Sequence, residues 1–501
     1  MDEYWQKDRT KTTFSSRELA KASEREIDFT GGTEQTPDMP EPIQLRPTRA
    51  RYWVIVFAII LAVIQYIDRV CISQAAPAIS QDLRLTPKQM GYVFSAFTLA
   101  YALFEIPTGW LGDKIGARKV LIRVVLWWSF FTAATGWMWN HLSMVVTRFL
   151  FGAGEAGCFP NLTKALSAWL PTRDRTRAQA LMWMGARWGG AAAPLLVVAV
   201  MSFTSWRVAF AIFALLGLGW AVLFSLWFRD NPRAHPGVNA AELALLRENE
   251  SNIAGHGNVP WRKFAARPAV WLLGAQYFCL SYGWYFYVTW LPTYLKDARG
   301  LEIRTNAVMA WLASLLEGSV NPETVLQILA AALAGIPLLF GGFGSLFAGI
   351  IATRLIARTG RVARVRRAFG FVGLTGAALL LLISFYIRDP LVAMLVMGLA
   401  SFFNDTTLPG SWAACMDVGG KYAGTVSGSM NMLGNFGGMA GPVVVGYILS
   451  LTDSTTQDWQ LAFFIFAAVY FLGAICWLFI DPVTPLEEEG KTARMSRNKG
   501  V

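Results

Sequence analysis

The sequence predicts an all-α membrane protein: twelve transmembrane helices in two pseudo-symmetric six-helix halves. Long apolar runs, a low charge content and an internal repeat carry that expectation. Of the 501 residues 54% are hydrophobic and 15% charged, and the mean hydropathy is +0.40. Soluble domains carry about 25% charged residues, so this chain lacks the polar surface to wrap a water-soluble globule. Stretches such as 53–67, 120–139, 208–228, 370–387 and 461–480 are nearly charge-free and approach the ~20 residues that cross a hydrocarbon core. The 21 Trp and 45 Gly suit membrane helices, where aromatic rings sit at interfaces and glycine permits close packing.

Residues 1–51 are polar, mixed in charge and without an apolar stretch, which predicts a disordered tail. Twelve spans follow, near 52–79, 88–112, 118–139, 142–164, 175–203, 206–228, 268–296, 326–355, 362–387, 390–416, 420–450 and 458–481. They define an N-terminal bundle over 52–228 and a C-terminal bundle over 267–481. A polar connection at 229–266 separates them, and 482–501 forms a polar tail. An insertion at 297–325 follows the seventh span, and Ala307–Leu316 within it has the pattern of a short amphipathic helix.

With both termini in the cytosol, the cytosolic segments hold 34 of the 44 Lys and Arg and the outer loops seven, the bias of the positive-inside rule. The net charge of +11 is therefore topology rather than a nucleic-acid surface. The five cysteines lie in apolar segments without CxxC spacing and the three histidines fall in loops, so neither a disulfide framework nor a metal site is expected. The Gly-Lys-Thr at 490–492 has Pro485 where a phosphate loop needs glycine.

The halves share a motif. Met184-Gly-Ala-Arg-Trp-Gly-Gly-Ala-Ala-Ala-Pro194 in the fifth span parallels Met432-Leu-Gly-Asn-Phe-Gly-Gly-Met-Ala-Gly-Pro442 in the eleventh. The alignment sets Arg187 against Asn435. Related halves are a common plan of transporters.

Charges inside spans cost about 2.5–3.5 kcal/mol each on insertion scales, so each needs a reason. They are Asp68 and Arg69 in span one, Glu105 in span two, Arg148 and Glu155 in span four, Arg187 in span five and Asp405 in span ten. Arg148 and Glu155 share a helix face about 10 Å apart, which points each to a partner on another helix. Asp68 and Arg69 project about 100° apart, so only one can face a central cavity. Four carboxyls against three guanidiniums leave one net negative charge, and protonating two carboxyls reverses it, which suits an anionic substrate. Arginine stays charged while a desolvated carboxyl readily takes a proton. Arg69 or Arg187 is thus the natural anion clamp, and Asp68 and Glu155 are the natural proton carriers. Glu105, nearer the cytosolic end, is placed to pair with the loop that follows its span. Asp405 can serve either site or structure.

Gly109-Trp-Leu-Gly-Asp113-Lys114-Ile-Gly116-Ala-Arg118-Lys119 resembles the signature loop of the major facilitator superfamily, with Ala117 a departure. Tyr66-Ile-Asp68-Arg69, Arg148-Phe-Leu-Phe-Gly-Ala-Gly-Glu155 through Pro160-Asn161, Gly185-Ala-Arg187-Trp-Gly-Gly, Pro236-Gly-Val-Asn239-Ala-Ala-Glu242 and Ser427-Gly-Ser-Met-Asn431-Met-Leu-Gly-Asn435 resemble its anion:cation symporter branch. The resemblance runs from about residue 50 to 480. It implies a major facilitator fold and a cytosolic gate loop at Gly109, Asp113, Lys114, Gly116, Arg118 and Lys119. It further implies a protonatable pair, Asp68 and Glu155, and contact of Arg69 with a substrate carboxylate. Tyr66, Tyr101, Tyr285, Ser411 and Asn431 match positions that line the central cavity, and with Arg69, Arg187 and Asn435 they are the residues expected to bind substrate.

The expectation is a proton-coupled symporter of a small organic anion, a hexuronate- or hexonate-type sugar acid, working by alternating access in the cytoplasmic membrane. Its partners are the anion, protons and the lipid bilayer, with no nucleic acid, cofactor or metal, and a monomer suffices. A sodium-coupled carrier, or one for inorganic or phosphorylated anions, would use the same scaffold. No span carries the spacing of an enzyme's nucleophile and base.

Overall fold

The computed structural model describes residues 46–246, 259–291, 322–387, 389–450 and 456–486, together with Tyr294, Trp311 and Ser314. The sequence expectations for the N-terminal tail, for most of the 297–325 insertion with its amphipathic segment, and for the end of the C-terminal tail lie outside the described residues. Nine described helical stretches are long and apolar enough to cross a membrane, one of them, Leu391–Leu449, holding more than one crossing.

The N-terminal half contains α1 (Ala50–Asp82), α2 (Pro87–Ile115), α3 (Ala117–Thr135), α4 (His141–Glu155), α5 (Cys158–Trp169), α6 (Thr172–Phe203) and α7 (Trp206–Trp227). Short α8 (Ala240–Leu245) and α9 (Trp261–Ala266) lie in the central connection. The C-terminal half contains α10 (Pro268–Thr289), α11 (Pro322–Thr359), α12 (Val362–Tyr386), α13 (Pro390–Thr406), α14 (Leu408–Gly419), α15 (Ala423–Ser450) and α16 (Thr456–Phe479). Reversal after each crossing places residues 50, 115, 169, 227, 268, 359, 419 and 479 on one side, here the terminal side. Tight turns on the opposite side are set by caps. Thr86 and Gln89 form a reciprocal capping box at the start of α2, as Asn140 and Ser143 do for α4. Asp389 Oδ1 accepts from Val392 N at 2.9 Å to start α13.

The fourth and tenth spans, expected as continuous helices, are each interrupted. Pro160 and Pro409 lack the N–H that would bond the carbonyls of Ala156 and Asp405. The freed Asp405 carbonyl accepts from Ser345 Oγ at 3.2 Å. Glu155 and Asp405 thus both sit in the last turn before a break.

The internal repeat does the same packing work in both halves. A Cβ at Gly190 of α6 would lie 2.8 Å from the ring of Tyr66 on α1, and one at Gly438 of α15 would lie 2.3 Å from the ring of Tyr285 on α10. Glycine is what lets each helix seat a tyrosine ring against its backbone. Around these pairs the core fills with large rings, including fully buried Trp128, Trp169, Trp412, Trp459 and Trp477.

Candidate functional site

A cavity of about 50 Å³ lies between the halves. The N-terminal half contributes Tyr66, Arg69, Tyr101, Phe159, Trp183 and Arg187; the C-terminal half contributes Tyr277, Leu280, Ser281, Trp284, Tyr285, Asn431 and Asn435. Seven of the eight residues expected to bind substrate are among them. Ser411 is not: it is fully buried, and its hydroxyl donates to Thr407 O at 3.0 Å, closing the backbone next to Pro409. The aromatic wall of Phe159, Trp183, Tyr277 and Trp284 was absent from the sequence expectation. Part of it was legible, because Tyr277, Ser281, Trp284 and Tyr285 fall at helical i, i+4, i+7 and i+8 spacing.

Each arginine of the cavity is held by a carboxylate. Arg69 Nε donates to Glu155 Oε1, and its guanidinium stacks over Tyr101 at 4.3 Å. Arg69 Nη2, though buried, has no hydrogen-bond partner among the described residues. An orphaned donor on a charged group is costly, and this one belongs to a side chain that lines the cavity. Arg187 donates from Nε to Asp405 Oδ2 at 2.5 Å and from Nη2 to Asp405 Oδ1 at 3.1 Å. Its Nη1 meets the Tyr66 hydroxyl at 3.3 Å, and its face covers Trp284 at 4.1 Å. This pair crosses from one half to the other and gives Asp405, which the sequence left open between site and structure, a partner on the cavity wall.

Glu105 is placed differently from expectation. It does not pair with the loop after its span but accepts from Asn431 Nδ2 and from Asn435 Nδ2, the latter at 3.2 Å. The reason is register: Glu105 lies one turn before Gly109, where α2 runs against α15. Asn435 Oδ1 accepts from the Tyr285 hydroxyl at 3.3 Å.

Asp68 lies outside the cavity lining, consistent with its ~100° separation from Arg69. It is buried, and neither carboxyl oxygen has a hydrogen-bond partner among the described residues. Arg148, also buried, lies within electrostatic reach of Asp68 and Glu155 and stacks on Phe151 at 4.0 Å. Buried atoms without a hydrogen-bond partner among the described residues also occur on Gln65 and Trp128.

The signature loop divides its work. Asp113 accepts from Gly424 N at 3.0 Å and from Thr425 N and Oγ1, both at 2.6 Å. A carboxylate from one half thereby caps the positive end of α15 in the other. Lys164 Nζ supports it at 3.2 Å. Gly109 makes the approach possible, since a Cβ there would lie 2.3 Å from Gly424 O. Arg118 and Lys119 do not join this cross-half contact. Gly116, at φ +94°, turns the chain so that Arg118 N donates to Asp230 Oδ1 at 2.8 Å and its guanidinium to Ser225 O, within its own half. Lys119 is exposed, and Lys114 lies 4.9 Å over Trp110.

A second latch escaped sequence reading. Asp417 accepts from Arg175 across the interface and forms an ion pair with Arg366 at 2.6 Å within its own half. Arg51 donates to Glu242 at 3.0 Å, tying the start of α1 to α8. Among the described residues, hydrogen bonds between the bundles lie from Trp188, which donates to Leu339 O at 3.3 Å, toward the terminal side. The halves are thus pinned together on that side and at mid-depth. No cluster of three or more metal-ligating side chains occurs among the described residues.

Comparison with known proteins agrees with this architecture. Residues 58–442 match the family model of the Major Facilitator Superfamily. The chain is 35% identical over 447 residues to the "Probable sulfoacetate transporter SauU" of Cupriavidus necator, covering 89% of this chain and 97% of the relative. It is 30% identical over 460 residues to the "Probable galactarate/D-glucarate transporter GarP" of Escherichia coli K12, covering 86% and 94%. It is 28% identical over 412 residues to the "Hexuronate transporter" of Bacillus subtilis, covering 82% and 90%. The solved proton:xylose symporter XylE superposes with a TM-score of 0.63 at 14% identity, over 87% of this chain and 98% of that one. With matched sequence, fold and signature loop together, the chain belongs to the Major Facilitator Superfamily and is a multi-pass membrane transporter.

Proposed function

We propose that this protein is a proton-coupled symporter of a small organic acid in the cytoplasmic membrane. Arg69 carries the reading: it lines a cavity at the interface of the halves, with a carboxylate on one side and an unpartnered donor. While Glu155 is ionised, the Arg69–Glu155 pair is neutral overall. A proton on Glu155 leaves the guanidinium charge uncompensated, and a substrate carboxylate then neutralises it. Asp68, next to Arg69 on α1 and within electrostatic reach of Arg148, is the second proton carrier. Relatives named for sulfoacetate, galactarate/D-glucarate and hexuronate support an organic acid, a sugar acid being the class to test first.

The excess of Lys and Arg on the terminal side supports its placement in the cytosol, with both termini there. The latches at Asp113 and Asp417 then close the cytosolic face, and the described arrangement is the outward-facing member of an alternating-access cycle. Loading neutralises the cavity, the latches part, and substrate and protons leave inward. A single chain contains every group this cycle uses.

Proteoliposomes test the proposal through substrate-driven proton movement across a panel of sugar acids, short diacids, sulfonates and phosphate. An organic acid that alkalinises the outer medium with wild type but not with Arg69→Ala is the expected result. Proton movement that survives Arg69→Ala would remove that residue as the clamp, and a response to phosphate alone would replace the substrate class.

A further inference from the structure

One carboxylate needs one arginine, yet two guanidiniums line this cavity. Asp405 engages Arg187 side-on, through Nε and Nη2. The end-on fork, which pairs one proton of Nη1 with one of Nη2, is left with only the Tyr66 hydroxyl at 3.3 Å. A guanidinium has five N–H donors, so gripping Asp405 and touching Tyr66 does not exhaust Arg187. Arg69 shows the same division: Nε is held by Glu155 and Nη2 is unpartnered. Both arginines are therefore oriented by a carboxylate while keeping donors in reserve.

One side chain links them. The Tyr66 ring lies 5.7 Å from the Arg69 guanidinium, and its hydroxyl reaches Arg187. The two charges stand about one tyrosine side chain apart along a shared wall. Elsewhere the lining is short of groups that both donate and accept: the amides of Asn431 and Asn435 donate to Glu105, and among the rings stand Ser281, the tyrosine hydroxyls and the donor-only indole N–H groups of Trp183 and Trp284.

We infer that the cavity is built for a compact organic dianion, one anionic group on Arg69 and the other on Arg187. This rests on the anion-carrier reading above and narrows it. The competing account makes Arg187–Asp405 only a pin between the halves; a pin would affect every substrate alike, whereas a binding point would discriminate between diacid and monoacid.

The test uses the full chain in proteoliposomes and two matched probe pairs: D-glucarate with D-gluconate, and sulfoacetate with 2-hydroxyethanesulfonate. Within each pair one carboxylate is replaced by a CH2OH group. Wild type should favour the diacid of at least one pair by about tenfold or more in kcat/KM. The double variant Arg187→Gln/Asp405→Asn removes both charges and leaves no buried ion unpaired, and it should bring that ratio to within about twofold of one. A wild-type ratio near one overturns the inference and leaves the anion carrier standing. A ratio that persists in the double variant while both rates fall together also overturns it, in favour of the pin. Silence with all four probes, in tight vesicles holding folded protein, overturns the inference together with the organic-acid reading beneath it.

Discussion

Arg187 and Asn435 hold matching places in the two halves, and each donates to a carboxylate of the opposite half. Arg187 meets Asp405 at 2.5 and 3.1 Å, and Asn435 meets Glu105 at 3.2 Å. Each also shares a tyrosine hydroxyl at 3.3 Å, Tyr66 for Arg187 and Tyr285 for Asn435. The repeat thus builds the same contact twice, once ionic and once as a neutral amide on a carboxyl group. The ionic copy adds charge to the cavity wall; the amide copy adds a join without a second cation.

Because Arg187 and Asp405 are both buried, removing one leaves the other uncompensated in a low-dielectric interior. Arg187→Gln and Asp405→Asn should each cost about 3–5 kcal/mol of stability, and the double variant should recover most of that loss. Thermal unfolding of the four proteins in detergent gives the cycle. Additive losses would mean that the two side chains do not depend on each other.

Gly109→Ala should prevent closure on the terminal side without touching the cavity. The added methyl carbon would lie 2.3 Å from Gly424 O, so α2 and α15 must separate. Labelling of a Tyr422→Cys reporter, buried at this interface, should rise at least several-fold in the Gly109→Ala background. Unchanged labelling would show that the helices absorb the methyl by sliding.

Much of the fold was legible because membrane helices advertise themselves by length and polarity, and because the Gly-Gly-x-x-x-Pro repeat records a packing need shared by Tyr66 and Tyr285. The breaks were legible only in part: Pro160 and Pro409 stand in the sequence, but membrane helices tolerate proline when other groups satisfy the freed carbonyl. The cavity's charges were visible one by one; their pairing was not. Arg187 and Asp405 are 218 residues apart, and no local pattern links them. Arg118 reads as part of the gate until Gly116, at φ +94°, turns it back toward Asp230.

Asp113→Ala should weaken the same closure by a different route. It removes the acceptor for three hydrogen bonds at the start of α15 and the partner of Lys164. Hydrogen bonds to a charged group are each worth roughly 1.5–3 kcal/mol, and a population shift of even 1.4 kcal/mol is about tenfold. Labelling at Tyr422→Cys should rise, and Asp113→Asn, which keeps one carbonyl acceptor, should fall between wild type and Asp113→Ala. Equal labelling in Asp113→Asn and Asp113→Ala would assign the whole effect to charge rather than to capping.

His235 makes the packing of the central connection sensitive to acid. Its ring lies 4.6 Å from Trp227 and 5.4 Å from Trp169, and Nδ1 accepts from Gly237 N at 3.1 Å. Burial, with the positive charge of Arg229 nearby, lowers its pKa from the ordinary 6.5, against an opposing pull from Glu242. The folded protein therefore binds less proton here than the unfolded chain does just below the ordinary value. The resulting stability is fully present above about pH 6.5, declines as pH falls through that value, and stops declining below the lowered folded-state pKa. Melting temperatures measured from pH 8 to 5.5 should fall less in His235→Gln than in wild type, because the variant lacks this titration. Parallel curves would show that the imidazole takes up its proton in the folded state as easily as in the unfolded chain.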